Sequence, residues 1–417
     1  MSNYLHRTLG AGAHARALVC RPGEQLRWAG FARTHYYDIK RLSPVGEPKG
    51  GALGRGIANF TGDVVSELLG GSDEGSDKPP PADVLISGPA PDCLAHRYLR
   101  DLPSISRVLL RLWVLTPDRL VVLTERPPVV EEPPEPAQSL LGKASRFGKG
   151  LAKFGKDVAA IVADNRTKFG DNLEGEPVAP KEFLPAVEIP AAQIAGTSTT
   201  GRGVQVSLVD GSGFEFVRGV AASNWEIPTA ESELKIVTKE MSGHWLRSGE
   251  RLVLACAPIN GYTGVRLGDD LRLPHEPLGE VPEVKPGKLK WPRPADWTIR
   301  TQGADWADDP TVAFWAHATR PDQDAVRFAD HLAHTRGDAR LTLTTARAAV
   351  VYPSSLLAAP GDGPFTTFCE VDASRVRRLS ADRADRSVPP SPVIRLDFTD
   401  DSVLLVRDPL TSRRLGR

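Results

Sequence analysis

What the sequence has little of narrows it first. There is no charge surplus: 52 basic residues balance 52 acidic ones over 417 positions. That argues against a general nucleic-acid binder, whose footprint is an excess of Lys and Arg. Only four cysteines are present, Cys20, Cys93, Cys256 and Cys369. They lie far apart with no CxxC pair, so reduced thiols in a cytosolic protein are expected rather than a disulfide framework. No apolar run is long enough to span a bilayer, and the first residues, MSNYLHRTLGAGAHARALVC, lack the unbroken apolar core of a signal peptide. A soluble, cytoplasmic protein is expected, with any membrane contact peripheral, on the inner face.

Catalytic signatures are missing as well. No GxSxG occurs, and the glycine-rich stretch Gly50 to Gly56 is followed by no GK[ST], which excludes a phosphate-binding loop. His331 and His334, beside Asp330, make half a metal set that no other His/Cys cluster completes by spacing. No catalytic residue, cofactor or metal is therefore expected, and the chain is read as a non-enzyme.

What is present is β structure, twice. In Arg107 to Glu125 (RVLLRLWVLTPDRLVVLTE), two Val/Leu-rich runs flank Thr116-Pro117-Asp118-Arg119. Pro117 pre-sets the second position of a type I turn and Asp118 suits the third, so the stretch reads as a hairpin. Leu341 to Tyr352 is a weaker copy. Three further matches keep the same order: Arg21-Pro22-Gly23-Glu24 with Arg247-Ser248-Gly249-Glu250, Glu188–Ile194 with Glu370–Val376, and Asp210-Gly211-Ser212 with Asp400-Asp401-Ser402. Four ordered matches indicate a duplication, and the length suits two domains. Strands are also expected at 18–39, Phe183–Ile194 and Val204–Val217. Helices are expected at Leu53–Leu69, Thr229–Met241 (closing the first domain) and Asp322–His334.

The order pGE-x-L, LTxxRL, E[IV]-x-A-x-x-[IV] and a D[GD]S turn resembles bacterial pleckstrin-homology-like and GRAM-type domains. The resemblance implies two-sheet β-barrels, each closed by a carboxy-terminal helix, and binding of lipids, peptides or proteins rather than catalysis. The expected fold is mainly β with α insertions (α+β): two pleckstrin-homology-like barrels. The first (1–245) carries insertions at about 43–92 and 127–180, and the second (246–417) a Trp/Pro-rich insertion at about 274–321. After Asp408 too little chain remains for a comfortable closing helix on the second copy.

The 127–180 insertion opens with a Pro/Glu tract and continues into Ser139–Asp164 (SLLGKASRFGKGLAKFGKDVAAIVAD). Leu140, Ala144, Phe147, Leu151, Phe154, Val158 and Ile161 share one helical face. Arg146, Lys149, Lys153 and Lys156 lie opposite, with Lys143 at the edge. Apolar bulk beside cations suits a helix lying in a lipid interface, where each well-placed cation adds about 1 kcal/mol on anionic lipid. The same pattern suits a helix docked on its own barrel or on a protein partner, and Gly148, Gly150 and Gly155 mean that it needs some such surface. The candidate contacts are Lys143, Arg146, Phe147, Lys149, Leu151, Lys153, Phe154 and Lys156. Trp291, Trp297, Trp306 and Trp315 are expected to anchor the Trp/Pro segment on the second barrel, or to line a peptide groove. The expected function is a binding or adaptor protein attached to an anionic lipid surface through 139–164. The alternative is a protein–protein scaffold with no lipid role; nucleic acid is not an expected partner.

Overall fold

The computed structural model describes residues 9–49, 82–105, 110–126, 172, 174–199, 203–217, 230–256, 259, 261–285, 291–300, 305–359, 363–384, 386–408 and 410–415. The stretches expected at Leu53–Leu69 and Ser139–Asp164 lie outside them, as does Gly50 to Gly56.

The chain is mainly β and built twice over. The first unit runs α1 (Ala11–Leu18), β1 (Trp28–Ala32), β2 (His35–Ile39), β3 (Val84–Gly88), α2 (Leu94–Leu99), β4 (Arg111–Leu115), β5 (Arg119–Glu125), β6 (Phe183–Pro190), β7 (Ile194–Thr199), β8 (Val204–Leu208) and β9 (Gly213–Phe216). The second runs α3 (Ala230–His244), β10 (Leu252–Ala255), β11 (Tyr262–Leu267), β12 (Asp270–Arg272), α4 (Asp296–Arg300), β13 (Val312–Ala318), α5 (Asp324–His334), β14 (Arg340–Thr344), β15 (Arg347–Pro353), β16 (Phe365–Asp372), β17 (Val376–Ala384), β18 (Ser387–Val388), β19 (Ser391–Phe398), β20 (Val403–Arg407) and α6 (Thr411–Arg414).

The sheet orders repeat. β1-β4-β5-β6 in the first unit matches β10-β14-β15-β16 in the second, and β2-β3-β9-β8-β7 matches β11-β13-β20-β19-β17, with β12 added beyond β11. Even the strand directions agree: β2 with β3 and β11 with β13 are the parallel pairs within each unit. The expected closure into barrels is not seen. Among the described residues each unit is two separate sheets, and neither closes on itself.

The apolar runs of the hairpins follow from this layering. In β4, Leu112 and Val114 face α1, while Trp113 and Leu115 face the second sheet. A strand covered on both faces must be apolar throughout, which is why RLWVL shows no alternation. The second unit repeats the plan: Ala349 and Val351 of β15 meet Val237 and Met241 of α3, and Ala348 and Val350 enter the main core. The helix expected at Thr229–Met241 thus exists as Ala230–His244, but it covers the second unit instead of closing the first. Its counterpart is α1. Within each unit the inner helix, α2 or α5, comes directly before the hairpin, after β3 or β13, rather than at the end.

Each sequence match has a physical task. Arg21 N–H donates to the Glu24 carboxylate at 2.8 Å, and Arg247 N–H to Glu250 at 2.9 Å, closing the same turn twice. From the hairpin, Arg119 reaches Glu24 (3.5 Å) and Glu188 (3.6 Å), while Arg347 reaches Glu250 (2.8 Å) and Glu370 (2.7 Å). The Arg347 guanidinium also sits 4.0 Å from the Trp245 ring. The D-x-S turns cap the inner helices from outside their own sequence. Leu94 N–H donates to Asp210 (2.6 Å) and Ala95 N–H to Ser212 (3.1 Å). Asp324 N–H likewise donates to Asp400 (2.7 Å) and Ala325 N–H to Ser402 (3.0 Å). These are the orphan donors of a helix amino terminus, and an Asp/Ser pair supplies their acceptors.

Candidate functional site

The two units are joined by backbone as well as by side chains. β18, from the second unit, adds to the first unit's sheet beside β1 in parallel register, Ala29 opposite Ser387 and Gly30 opposite Val388. The start of α1 lies against Asp308: Gly10 N–H donates to the Asp308 carbonyl at 2.7 Å, and Gly12 N–H to the Ser387 hydroxyl at 3.0 Å. A Cβ on Gly10 or Gly12 would stand 2.0 or 2.2 Å from the Asp308 carboxylate, so this approach requires glycine. Further along, Val178 N–H donates to the Arg293 carbonyl (3.0 Å) and Arg293 N–H to the Glu176 carbonyl (2.7 Å). Leu9, Ala13, Val178 and Ala295 close over the contact with Trp297.

Beside this junction lies a cleft of about 1230 Å³. One wall is α1 with its following turn, from Arg16 to Leu26, together with the 177–180 stretch. The other is Ala295, Asp296 and Trp297, at the start of α4, with Arg386 just before β18. Local chemistry fixes each wall. Pro22 followed by Gly23 at φ +81° makes the turn that carries Arg21. Asp309, fully buried, accepts from Ala295 N–H and the Thr298 hydroxyl (2.7 Å each), which anchors the start of α4. His14 ties α1 to the chain just before β6: Nδ1 donates to the Gly10 carbonyl (2.9 Å) and Nε2 accepts from Lys181 N–H (3.0 Å). Burial pushes its pKa down to about 4, so the ring stays neutral.

The cleft's charge is uneven. Arg21 and Arg386 are exposed, come from different units, and neither guanidinium has a hydrogen-bond or ion-pair partner among the described residues. Arg16 adds a third cation on the same lining. Of the two acids present, Glu24 is already engaged. Burial raises its carboxyl pKa, but Arg21 N–H, the Thr116 hydroxyl and Arg119 outweigh that and hold it below the usual carboxylate range. Asp296 alone is exposed.

The residues singled out in the sequence are scattered. Lys143, Arg146, Phe147, Lys149, Leu151, Lys153, Phe154 and Lys156 fall outside the described residues. The flanks of their segment are placed, however. Glu125 pairs with Phe183, and Arg126 pairs with Glu182 through backbone (2.9 Å) and side chain (2.8 Å). β5 thus ends beside the start of β6, and of the described stretch that leads into β6, residues 177–180 form part of the cleft wall.

The four tryptophans divide. Trp306 and Trp315 stack in the second unit, with centroids 5.6 Å apart, and Trp291 meets Tyr262 edge-on. Trp297 instead joins the inter-unit cluster and lines the cleft. Asp330, His331 and His334 act as clamps: Asp330 accepts from His275 at 2.6 Å, His331 bonds the Tyr352 hydroxyl at 2.7 Å, and His334 bonds the Pro282 carbonyl at 2.7 Å. Among the described residues no group of three His, Cys, Asp or Glu side chains could hold a metal ion. No helix among them is long and apolar enough to cross a membrane. The cleft was not legible in the sequence, because its cations lie 365 positions apart (Arg21 to Arg386). No protein-family model, curated protein or solved structure matches the chain.

Proposed function

We propose that the chain is a non-enzymatic binding and adaptor protein, a rigid duplicated β frame that holds a basic amphipathic segment against an anionic membrane surface. The supporting observation is the fixing of that segment's two flanks. Arg126 is bonded to Glu182, and 174–180 is bonded to residues 291–293 of the second unit. Both described flanks of the segment are thereby bonded within a frame that spans both units. Its apolar stripe, Leu140 to Ile161, would bury in the interface, and its four or five cations would add a salt-sensitive attraction. The duplicated turn motifs keep kinship with pleckstrin-homology-like domains within this proposal, through a shared platform role and not through a closed barrel.

Co-sedimentation with vesicles tests the reading. Phosphatidylserine-containing vesicles should pull the protein down and phosphatidylcholine vesicles should not, and rising ionic strength should weaken the binding. Phe147→Glu with Phe154→Glu should abolish it. Equal partition onto both lipids, or indifference to the Phe variants, would refute the membrane role. A scaffold reading draws on the cleft, whose walls and exposed cations Arg21 and Arg386 suit a protein ligand.

A further inference from the structure

We infer that the inter-unit cleft binds an extended acidic peptide segment of a partner protein, with Arg21 and Arg386 pairing its carboxylates and Trp297 providing the apolar contact. The inference rests on reading the chain as a binding platform and adds the ligand's chemistry.

Size speaks first. Small-molecule pockets fall in the range of about 300–1,000 Å³ and enclose their ligands, whereas this cleft is larger and open along the seam between two units. An open trough suits a chain laid along it. Charge speaks second. Two exposed guanidiniums, Arg21 and Arg386, lie on one lining, and among the described residues neither forms an ion pair, the field of Glu24 on Arg21 apart, so a bound polyanion would gain attraction from both. Arg also matches carboxylate geometry through its planar fork, which favours paired carboxylates over isolated ions. The third consideration is the lining between the cations. Ala17, Leu26, Pro177, Val178, Pro180 and Trp297 are apolar or conformationally fixed, so they present a surface for the backbone and side chains of an extended segment at little ordering cost.

A nucleic-acid strand fits less well. Its phosphates need a continuous basic track, often with successive stacking rings. The cleft offers three cations, one competing acid and a single half-buried indole.

Position gives the site a consequence. Arg21 belongs to the first unit and Arg386 to the second, so a ligand engaging both would bridge the seam.

The test is fluorescence anisotropy of the full chain with a short fluorescein-labelled peptide of alternating Glu and Pro, beside its Gln/Pro counterpart. The Glu peptide should bind in a salt-dependent way and the Gln peptide should not. Arg21→Ala and Arg386→Ala should each weaken binding about two- to fivefold, the range for exposed ion pairs. Both side chains are exposed and form no hydrogen bond or ion pair among the described residues, so the thermal midpoint should stay in place. Asp296→Asn should tighten binding, an effect that a merely structural role would not produce. The inference is overturned if the two peptides bind equally, if the Arg variants bind as the parent does, or if a single-stranded oligonucleotide displaces the Glu peptide at equal charge. Vesicle binding run on the same Arg variants separates the two readings. It should be unchanged, because the 139–164 segment is intact, and its loss in the Phe147/Phe154 variants should leave peptide binding in place.

Discussion

Replacing Arg347 by Met should destabilise the second unit far more than replacing Arg119 by Met destabilises the first. The two arginines hold the same place in the duplicated plan, which makes each a control for the other. Arg347 donates to Glu250 at 2.8 and 3.2 Å, to Glu370 at 2.7 Å and to the Trp245 carbonyl at 3.3 Å. The Glu250 side chain is only 6% exposed, so its carboxylate would be left buried without its main partner. Breaking such a pair costs about 3–5 kcal/mol. The Glu370 side chain is 37% exposed, water can take over there, and the total belongs at the low end, about 3 kcal/mol. Arg119 makes longer contacts, 3.5 Å to a Glu24 side chain that is just as buried (5% exposed) and 3.6 Å to a Glu188 side chain that is 58% exposed, beside one bond to the Val19 carbonyl at 3.1 Å; contact length, not burial, sets it apart and places its loss near 1 kcal/mol. Native-state hydrogen exchange resolves the units separately: amides of β14 and β15 should lose protection in the Arg347 variant, and those of β4 and β5 much less in the Arg119 variant. Adding Glu250→Gln should restore part of the stability, since the orphaned carboxylate is the larger cost. Equal losses in the two units, within about 0.5 kcal/mol, would refute the assignment of the difference to contact length.

Two further outcomes are expected. Asp400→Ala removes acceptors from Asp324 N–H and from Ser402, and should cost about 1–2 kcal/mol. Ser402→Ala should cost about 1 kcal/mol, and both would be read as lowered thermal midpoints, an unchanged midpoint counting against the cap. Stability should also fall on acidification between pH 6.5 and about 4. His14, His317 and His331 have folded pKa values near 4 and His35 near 3, in each case chiefly through burial. The unfolded chain takes up protons in this window that the folded chain refuses, so the stability present above pH 6.5 is lost as pH drops. These four histidines should take up between about three and four protons on unfolding in mid-window. Asp83 and Asp338, whose carboxyls are raised by burial, work in the opposite sense and trim that number.

The duplication was legible because its marks are turns. Pro-Gly-Glu, Thr-Pro-Asp-Arg and Asp-Gly-Ser are each closed by hydrogen bonds that span two or three residues, and such chemistry is written locally. The layering was not. Thr229–Met241 reads as a helix, yet nothing in its residues says which sheet its Val237 and Met241 will cover. α1 and α2 escaped notice because eight and six residues, rich in Ala and Gly or flanked by loops, carry too few turns for a period to show. Barrel closure failed as an expectation for a related reason: motif order along the chain is compatible with several sheet arrangements. The site was hidden most deeply, since Arg21, Trp297 and Arg386 meet only once both units are folded and docked.

The two-residue strand Ser387–Val388 has a consequence for biosynthesis. The first unit emerges from the ribosome with β1 at the open edge of its sheet, and the strand that covers β1 is made hundreds of residues later. The Ser387 hydroxyl that satisfies Gly12 N–H lies 375 positions away. Until then the nascent first half presents unpaired backbone to its surroundings, the kind of edge on which chains aggregate. Closing so long a loop is also slow. Ribosome-bound chains truncated before residue 387 should therefore depend on chaperones more than the finished protein does, and the amino-terminal half expressed alone should pair through β1 with whatever strand it meets first.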